Sequence, residues 1–361
     1  MPLFLVGLGL GDEKDVSVNG LAAIRKSDRV FLEAYTSILG VETDKLEEYY
    51  GKKVELADRT RVESEADLLL NAAKTKNVSF LVVGDPYCAT THTDLALRAR
   101  ALGIKVQVFH NACIMSAIGC CGLQLYNYGQ TISICFFRDG SSDETQPTSY
   151  YEKIKINRQH GLHTLCLLDI KVKEPDLDEM CRGRTVFLPP RYMQISNALQ
   201  QLLYVEENIR KGGVYSRETQ CVGLARVGRA DQLVVAGTME ELATLDFGGP
   251  LHSLVIVGET HELEQEMLDE FSVEKMKVAH GLGTVPWEER FLKKKVVEKK
   301  ETAAAPLPPH ASVAAPVAAK AQVQKKAGED VEAEEDNLEM NIAPLMFGAD
   351  DSDDEDSSES D

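Results

Sequence analysis

The stretch LFLVGLGLG at residues 3–11 decides the fold of this chain. Residues 3–7 have the length and the apolar composition of a buried strand, and a glycine-rich loop follows at once. Residues from about 16 to 25 then carry apolar side chains at helical spacing. A strand, a glycine loop and a helix in this order predict the start of an open α/β sheet, in which the loop lies at the sheet edge where ligands bind.

The same alternation of strand and helix continues to about residue 112. Further strands are predicted at 29–33, 54–56, 79–86 and 105–112. Between them, helices are predicted near 44–50, 64–74 and 93–103, and a Ser64 N-cap signal precedes the second of these. Short apolar strands that alternate with helices of about ten residues predict a mostly parallel sheet covered on both faces.

The pattern changes after Gly119, where strands follow one another more closely. Strands are predicted at 131–137, 163–170, 221–228, 232–237 and 251–258, and helices at 150–161 and 191–208. Strands joined by short turns predict a second, mixed sheet. The predicted fold class is therefore α/β, with two unequal α/β domains and a disordered acidic tail. The predicted bounds are residues 1–118 for the N-terminal α/β domain, 119–292 for the mixed C-terminal domain and 293–361 for the tail.

The charge of the chain is concentrated in that tail. The formal net charge is −19, from 58 acidic and 39 basic residues. From Glu329 onwards there are 15 acidic residues and no Lys or Arg, so the rest of the chain is nearly neutral at about −4. An Ala/Pro-rich run at 303–319 precedes this acidic segment and predicts disorder, since it has little apolar area to bury. The balance argues against direct binding to nucleic acid.

The sequence predicts no membrane span, no secretory signal and no metal site. The N-terminal apolar run breaks after about ten residues and lacks a basic region before it. Eight cysteines without a CxxC pair indicate reduced thiols and a cytoplasmic location. His160 and His163 are close in sequence, but no second Cys/His cluster accompanies them, so a loop or strand-edge pair is favoured over a metal site.

The glycine loop by itself leaves several interpretations open. The glycines permit a tight turn and a close approach of a ligand to the backbone, or a tight turn with no ligand at all. A dinucleotide-binding loop is another alternative, with Glu33 about twenty residues on as the ribose acid. The spacing is GxGxG rather than GxGxxG, however, so the following helix is not arranged to receive a pyrophosphate.

Two further strand ends strengthen the prediction of a binding site. Gly84-Asp85-Pro86 follows a buried strand, and its Asp is suited either to accept hydrogen bonds from a ligand or to form a turn. The strand at 105–112 runs into Cys113 and Ile114. Because parallel strands end at the same edge of a sheet, these three strand ends predict one composite crevice.

Eight segments of the chain are similar to the motifs of a known protein family. They are GLGLGDEKDVSVNGL, LEAYTS, VVGDPYCATTHTDL, HNACIMSAIGCCGLQLYNYG, NRQHGLHTLCLLDIKVKE, PPRYM, CVGLARVG and PLHSL. Together they resemble the diphthine synthase family, in its eukaryotic form, among the tetrapyrrole-methylase-like class III methyltransferases. The resemblance runs nearly without gaps from residue 1 to about 275 and leaves out the tail.

This resemblance implies two unequal α/β domains with S-adenosylmethionine bound in the cleft between them, usually in a homodimer. The cofactor contacts that it implies are Leu10, Asp85, Cys88, Cys113, Ile114, Leu168, Val227 and His252. Two positions depart from the family pattern, which has Ser more often at 113 and Gly at 88. A thiol is a weaker hydrogen-bond partner than a hydroxyl, so these two contacts are expected to use the backbone. Leu168, Val227 and His252 are otherwise typical of core residues.

The implied reaction is sequential methylation of a modified histidine on translation elongation factor 2, a step of diphthamide biosynthesis. The amine of its aminocarboxypropyl group is trimethylated and its carboxylate is esterified. No catalytic residue is assigned; Arg191 and Tyr192 are candidates to orient the acceptor or, equally, to clamp the start of a helix. The alternatives are a tetrapyrrole methylase and a non-catalytic adaptor whose acidic tail recruits basic partners.

Overall fold

The structure is a computed structural model that describes residues 1–33, 39–58, 62, 66–172, 174–184 and 186–291. The predicted tail at 293–361, the Ser64 cap signal and most of the LEAYTS segment lie outside these residues. The described part of the chain contains two five-stranded sheets and one two-stranded sheet. The predicted domain boundary at 118 and 119 falls between the two larger sheets and stays a prediction.

The first sheet is fully parallel, as predicted. Its strands are β1 (Pro2–Gly7), β2 (Arg29–Glu33), β3 (Val54–Ala57), β4 (Val78–Val82) and β5 (Lys105–Phe109). They lie in the order β3-β2-β4-β1-β5, and every neighbouring pair is parallel. The ends of β4, β1 and β5 are therefore adjacent in space, which is the arrangement that the three strand-end motifs predicted.

Helices cover both faces of this sheet, whose central strands β1 and β4 are largely apolar and buried. The helices are α1 (Val18–Lys26), α2 (Thr43–Tyr50), α3 (Asp67–Thr75) and α4 (His92–Ala101). Along β1, Leu3 and Leu5 belong to the core with α3 and α4, whereas Phe4 and Val6 belong to the core with α1 and α2. Such alternation places a continuous apolar run inside two cores.

The second sheet is mixed, which confirms the second prediction. Its strands are β6 (Ile132–Ile134), β7 (Thr164–Leu168), β10 (Gln220–Ala225), β11 (Leu233–Thr238) and β12 (His252–Ile256), and the remaining two, β8 (Ile170–Lys171) and β9 (Arg191–Tyr192), form the two-stranded sheet. The order is β11-β10-β12-β7-β6. Only β6 and β7 pair in parallel among these described strands; the other neighbours are antiparallel, including the predicted β10–β11 hairpin.

The helix predicted at 191–208 begins later than expected. The helices of this half are α5 (Ile114–Ala117), α6 (Tyr150–Gln159), α7 (Leu177–Cys181), α8 (Ile195–Tyr204), α9 (Met239–Leu242), α10 (Glu262–Glu270) and α11 (Val273–His280). Arg191 and Tyr192 pair with β8 instead of starting α8. Gln194 caps α8 in a reciprocal box with Asn197, and the helix ends in a π-helical segment at Val205–Arg210.

His163 is a buried structural residue, whereas His160 is exposed. The Nδ1 of His163 accepts the Gly258 N–H at 2.9 Å, and its Nε2 lies 3.5 Å from the Glu264 carboxylate. Burial lowers the pKa of His163, although the Glu264 carboxylate opposes that shift. No group of three or more His, Cys, Asp or Glu side chains in the described ranges is arranged to hold a metal ion.

Candidate functional site

A cavity of about 320 Å³ lies where the two larger sheets meet. Its walls come from the loops after β1, β4 and β5 and from β6, β7, β10 and β12 of the second sheet. Pockets for small molecules usually have volumes of about 300–1,000 Å³ and mostly apolar walls with a few polar groups. The cavity therefore has the size and the position of a ligand site.

Seven of the eight predicted cofactor contacts line this cavity. They are Leu10, Cys88, Cys113, Ile114, Leu168, Val227 and His252. Leu168 is the last residue of β7, while Val227 lies in the loop beyond the end of β10 rather than in a strand. The fold thus brings together residues from both halves of the chain, and their contact with a cofactor stays a prediction.

Asp85, the eighth residue, is buried and does not line the cavity. Its Oδ1 accepts the Tyr87 N–H at 2.9 Å, and its Oδ2 lies 3.1 Å from the Asn111 nitrogen and 2.8 Å from His110 Nδ1. Burial alone would raise the pKa of Asp85, but these three interactions outweigh it and hold the pKa below its usual range. Asp85 therefore joins the loops after β4 and β5 as a carboxylate.

Asn111 extends this network to the first glycine loop. Its side-chain amide donates to the carbonyl oxygens of Gly7 at 3.0 Å and Asp15 at 2.9 Å. Asn111 is within the HNACIM segment, but its role was not visible in the sequence, because both of its acceptors are about a hundred residues away. The three strand ends are thus joined by side-chain hydrogen bonds behind the cavity wall.

The glycines of the first loop serve close packing inside the protein. Gly9 has a φ of 76°, and a Cβ on Gly11 would lie 2.7 Å from the Gly228 carbonyl oxygen. Neither residue lines the cavity, whereas Leu10 between them does. Gly9 and Gly11 therefore fit the tight-turn interpretation, because they let the β1 loop contact the β10 loop and so place Leu10 at the cavity; a ligand contact of this loop stays a prediction.

The Cys88 thiol in the cavity wall is protonated. Burial raises the pKa of the Cys88 thiol to about 12, and its neighbours Cys113 and Asp85 add to the rise. Cys88 and Cys113 are both free thiols. A neutral thiol is a weak hydrogen-bond partner, so we expect main-chain groups of this wall to make the polar contacts with a ligand.

His252 is a neutral side chain whose two ring nitrogens are both occupied within the protein. Its Nδ1 accepts the Ile195 N–H at 3.3 Å, and its Nε2 donates to the Gly249 carbonyl oxygen at 2.9 Å. Burial lowers the pKa of His252 to about 4, and the charge of Arg226 contributes. The imidazole is thus unsuited to act as a general base, and it offers a ligand its ring surface.

Asp169 is not among the residues predicted from the sequence, although it lies in the quoted segment NRQHGLHTLCLLDIKVKE. It is half-buried and lines the cavity. Its Oδ2 accepts the Phe136 N–H at 3.0 Å, which ends strand β6 earlier than the predicted residue 137. No polar partner contacts its Oδ1 among the described residues. An unpaired carboxylate oxygen beside the cavity attracts a cationic group.

Arg191 and Tyr192 have different environments. Arg191 is exposed, pairs with Glu174 at 2.7 Å and stacks over the Phe136 ring at 5.1 Å. Tyr192 lines the cavity. Arg191 therefore anchors β9 to Glu174 and Phe136, neither of which belongs to α8, whereas Tyr192 is positioned to contact a ligand.

The cavity suits S-adenosylmethionine by the chemistry of its walls. Ile114, Leu168 and Val227 provide apolar surface for a flat base, and the hydroxyls of Ser133 and Ser253 have no polar partner in the described ranges. Asp169 supplies negative charge for a sulfonium or ammonium group.

Within the described helices, none is long and apolar enough to cross a membrane.

Comparisons with known proteins agree with this fold. Residues 2–243 match the family model of tetrapyrrole (corrin/porphyrin) methylases. The chain is 55% identical to the diphthine methyl ester synthase of Dictyostelium discoideum over 277 residues, which are 76% of this chain and 100% of that protein. It is 54% identical to the human diphthine methyl ester synthase over 275 residues, or 75% of this chain and 95% of that protein.

A solved structure of a diphthine synthase has a TM-score of 0.63 with 34% sequence identity, and the match covers 77% of this chain and 99% of that one. The similarity therefore extends over nearly the whole length of these relatives. The chain belongs to the diphthine methyl ester synthase family of tetrapyrrole-methylase-like methyltransferases.

Proposed function

We propose that this methyltransferase uses S-adenosylmethionine to methylate the aminocarboxypropyl-histidine of translation elongation factor 2 during diphthamide biosynthesis. The amine would be trimethylated and the carboxylate esterified. The observation that carries the proposal is the convergence of seven predicted contacts, from three loops of one sheet and three strands or loops of the other, on a single cavity.

When bound, S-adenosylmethionine supplies an activated methyl group with a good leaving group. The residues of the chain then have to orient the acceptor and exclude water. Leu10, Ile114 and Leu168 form apolar walls for this purpose. Correct orientation of two reactants can contribute about 7–11 kcal/mol to lowering a barrier.

The attacking amine must be neutral, because an ammonium group has no lone pair. An apolar cavity disfavours the charged form and so lowers the pKa of a bound amine. His252 cannot take the proton at neutral pH, since its ring nitrogens are engaged and its pKa is about 4. His252 therefore accepts no proton from the amine, and no general base is assigned.

The assay uses purified elongation factor 2 that carries the unmethylated precursor, with S-adenosylmethionine and the full chain. Mass spectrometry of the modified peptide should show successive methyl additions, with one of them lost on mild alkaline hydrolysis as the ester. Methylation of a tetrapyrrole but not of the protein would support the first alternative. Binding of S-adenosylmethionine without transfer to either would support an adaptor.

A cytoplasmic homodimer is part of the same proposal and rests on the family resemblance. Sedimentation equilibrium of the full chain at micromolar concentration tests it, with twice the chain mass of 39.8 kDa as the expected result. A stable monomer across that range would contradict the dimer and leave the methyl-transfer proposal intact.

A further inference from the structure

A second cavity, of about 450 Å³, adjoins the first. It is lined by residues 39–42, by Asp231, by Gly249-Pro250 and by two arginines, Arg226 and Arg229. These two arginines also line the first cavity. The two arginines therefore lie between the two cavities, where they can contact a ligand group in either cavity.

Arg226 is fully engaged by the protein. Its guanidinium donates to the carbonyl oxygens of Phe247 at 2.7 Å, Gly249 at 2.6 Å and Asp231 at 3.1 Å. Its Nε also lies 2.8 Å from the Asp231 carboxylate. Arg226 thus holds the loops of the junction together and has little capacity left for a ligand.

Arg229 is engaged on one side alone. Its Nε lies 3.3 Å from the Asp231 carboxylate, and 30% of its side chain is exposed. Within the described residues, its two terminal amino groups have no polar partner. The guanidinium packs closely against Gly40, since a Cβ there would lie 2.9 Å from Arg229 Nε. A guanidinium held in this way presents a planar fork suited to a carboxylate.

We infer that, during the methylations of the amine, Arg229 binds the carboxylate of the acceptor's aminocarboxypropyl group in the second cavity. This inference rests on the proposed function. The acceptor is carried by a folded protein and has to enter from solvent, and the second cavity opens to solvent at Glu42 and Asp231, which are both exposed. The exposed position of Glu42 leaves its charge screened by water.

The test compares wild type with Arg229→Gln and Arg229→Lys. Each protein is assayed for the KM and kcat with precursor-bearing elongation factor 2, and for the Kd of S-adenosylmethionine by calorimetry. Arg98→Gln is the matched control: Arg98 has 32% side-chain exposure, an ion pair to Asp94 at 3.4 Å and a position outside both cavities.

Arg229→Gln should raise the KM for the protein acceptor about tenfold or more, while the Kd of S-adenosylmethionine changes less than about twofold. Arg229→Lys should recover part of the KM, because it keeps the charge and loses the fork. Arg98→Gln should leave both constants unchanged. The rescue by Lys separates recognition of a carboxylate from a merely structural effect.

Three results would overturn the inference. A weaker Kd for S-adenosylmethionine with an unchanged KM would assign the arginine to the carboxylate of the methyl donor. Unchanged constants in both variants would remove Arg229 from recognition altogether. Equal loss in the Gln and Lys variants, with a lowered thermal midpoint, would assign it a structural role. If wild type itself transfers no methyl group to the protein, the proposed function fails, and the inference fails with it.

Discussion

His252 should make the stability of this protein depend on pH in a calculable way. The side chain is 8% exposed, and its Nδ1 accepts a main-chain N–H while its Nε2 donates to a carbonyl oxygen. This arrangement requires the neutral ring. Burial accordingly lowers the pKa of His252 to about 4, against about 6.5 for an unperturbed histidine.

The direction of this pH dependence follows from the number of protons that the folded and the unfolded chain bind. Above about pH 6.5 both the folded and the unfolded chain hold a neutral His252, so the full stabilisation is present. Between about pH 6.5 and 4 the unfolded chain binds a proton that the folded protein does not. Stability therefore falls as pH falls, and one pKa unit corresponds to about 1.4 kcal/mol. From pH 7.5 to pH 5 the loss from His252 is about 2 kcal/mol.

Urea denaturation of wild type and His252→Gln at pH 7.5 and pH 5 measures this loss. The Gln variant is less stable at pH 7.5, and the gap in the free energy of unfolding should shrink by about 2 kcal/mol at pH 5. His163 also has a burial-lowered pKa, but it is present in both proteins and cancels. His160→Gln, at an exposed site, is the control. A gap that stays constant between the two pH values would refute the neutral, buried imidazole.

Three further substitutions test the walls of the site. Asp85→Ala should weaken S-adenosylmethionine binding and lower stability by about 1–3 kcal/mol, because it leaves buried N–H groups without an acceptor; an unchanged Kd in calorimetry would remove Asp85 from the site. Asp169→Asn should weaken binding several-fold with little change in thermal midpoint, since an amide oxygen still accepts the Phe136 N–H; equal affinity would contradict its electrostatic role. Gly228→Ala should cost about 1–3 kcal/mol in urea denaturation, because φ is 86° and the new Cβ would lie 2.9 Å from Leu10 Cβ; wild-type stability would show that the two loops can separate.

The local patterns in the sequence were sufficient to predict the parallel sheet and the convergence of its strand ends. The apolar run of β1 is buried on both faces, and such a run has few other solutions in an α/β fold. The position of Leu10, Gly84 and Cys113 at one edge then follows from the parallel order of the strands. These are short-range signals combined with one topological rule.

Long-range interactions explain what the sequence did not reveal. Arg191 and Tyr192 left the predicted helix because they pair with β8, about twenty residues earlier. Asp169 and Asn111 act through main-chain partners that are distant in sequence, so no local motif marks them. One partner of His252, the Ile195 N–H, likewise belongs to α8, which a single histidine beside an apolar strand does not predict.

A crystal structure of the chain with S-adenosylhomocysteine, the demethylated product of the donor, tests the central claim most directly. We expect this molecule to occupy the cavity between the two larger sheets, with its adenine against Leu168 and Val227 and its sulfur on the side of Asp169. Density for it at another surface, or an affinity unchanged when a bulky side chain replaces Ser253 in the cavity wall, would exclude this cavity as the site of the methyl donor.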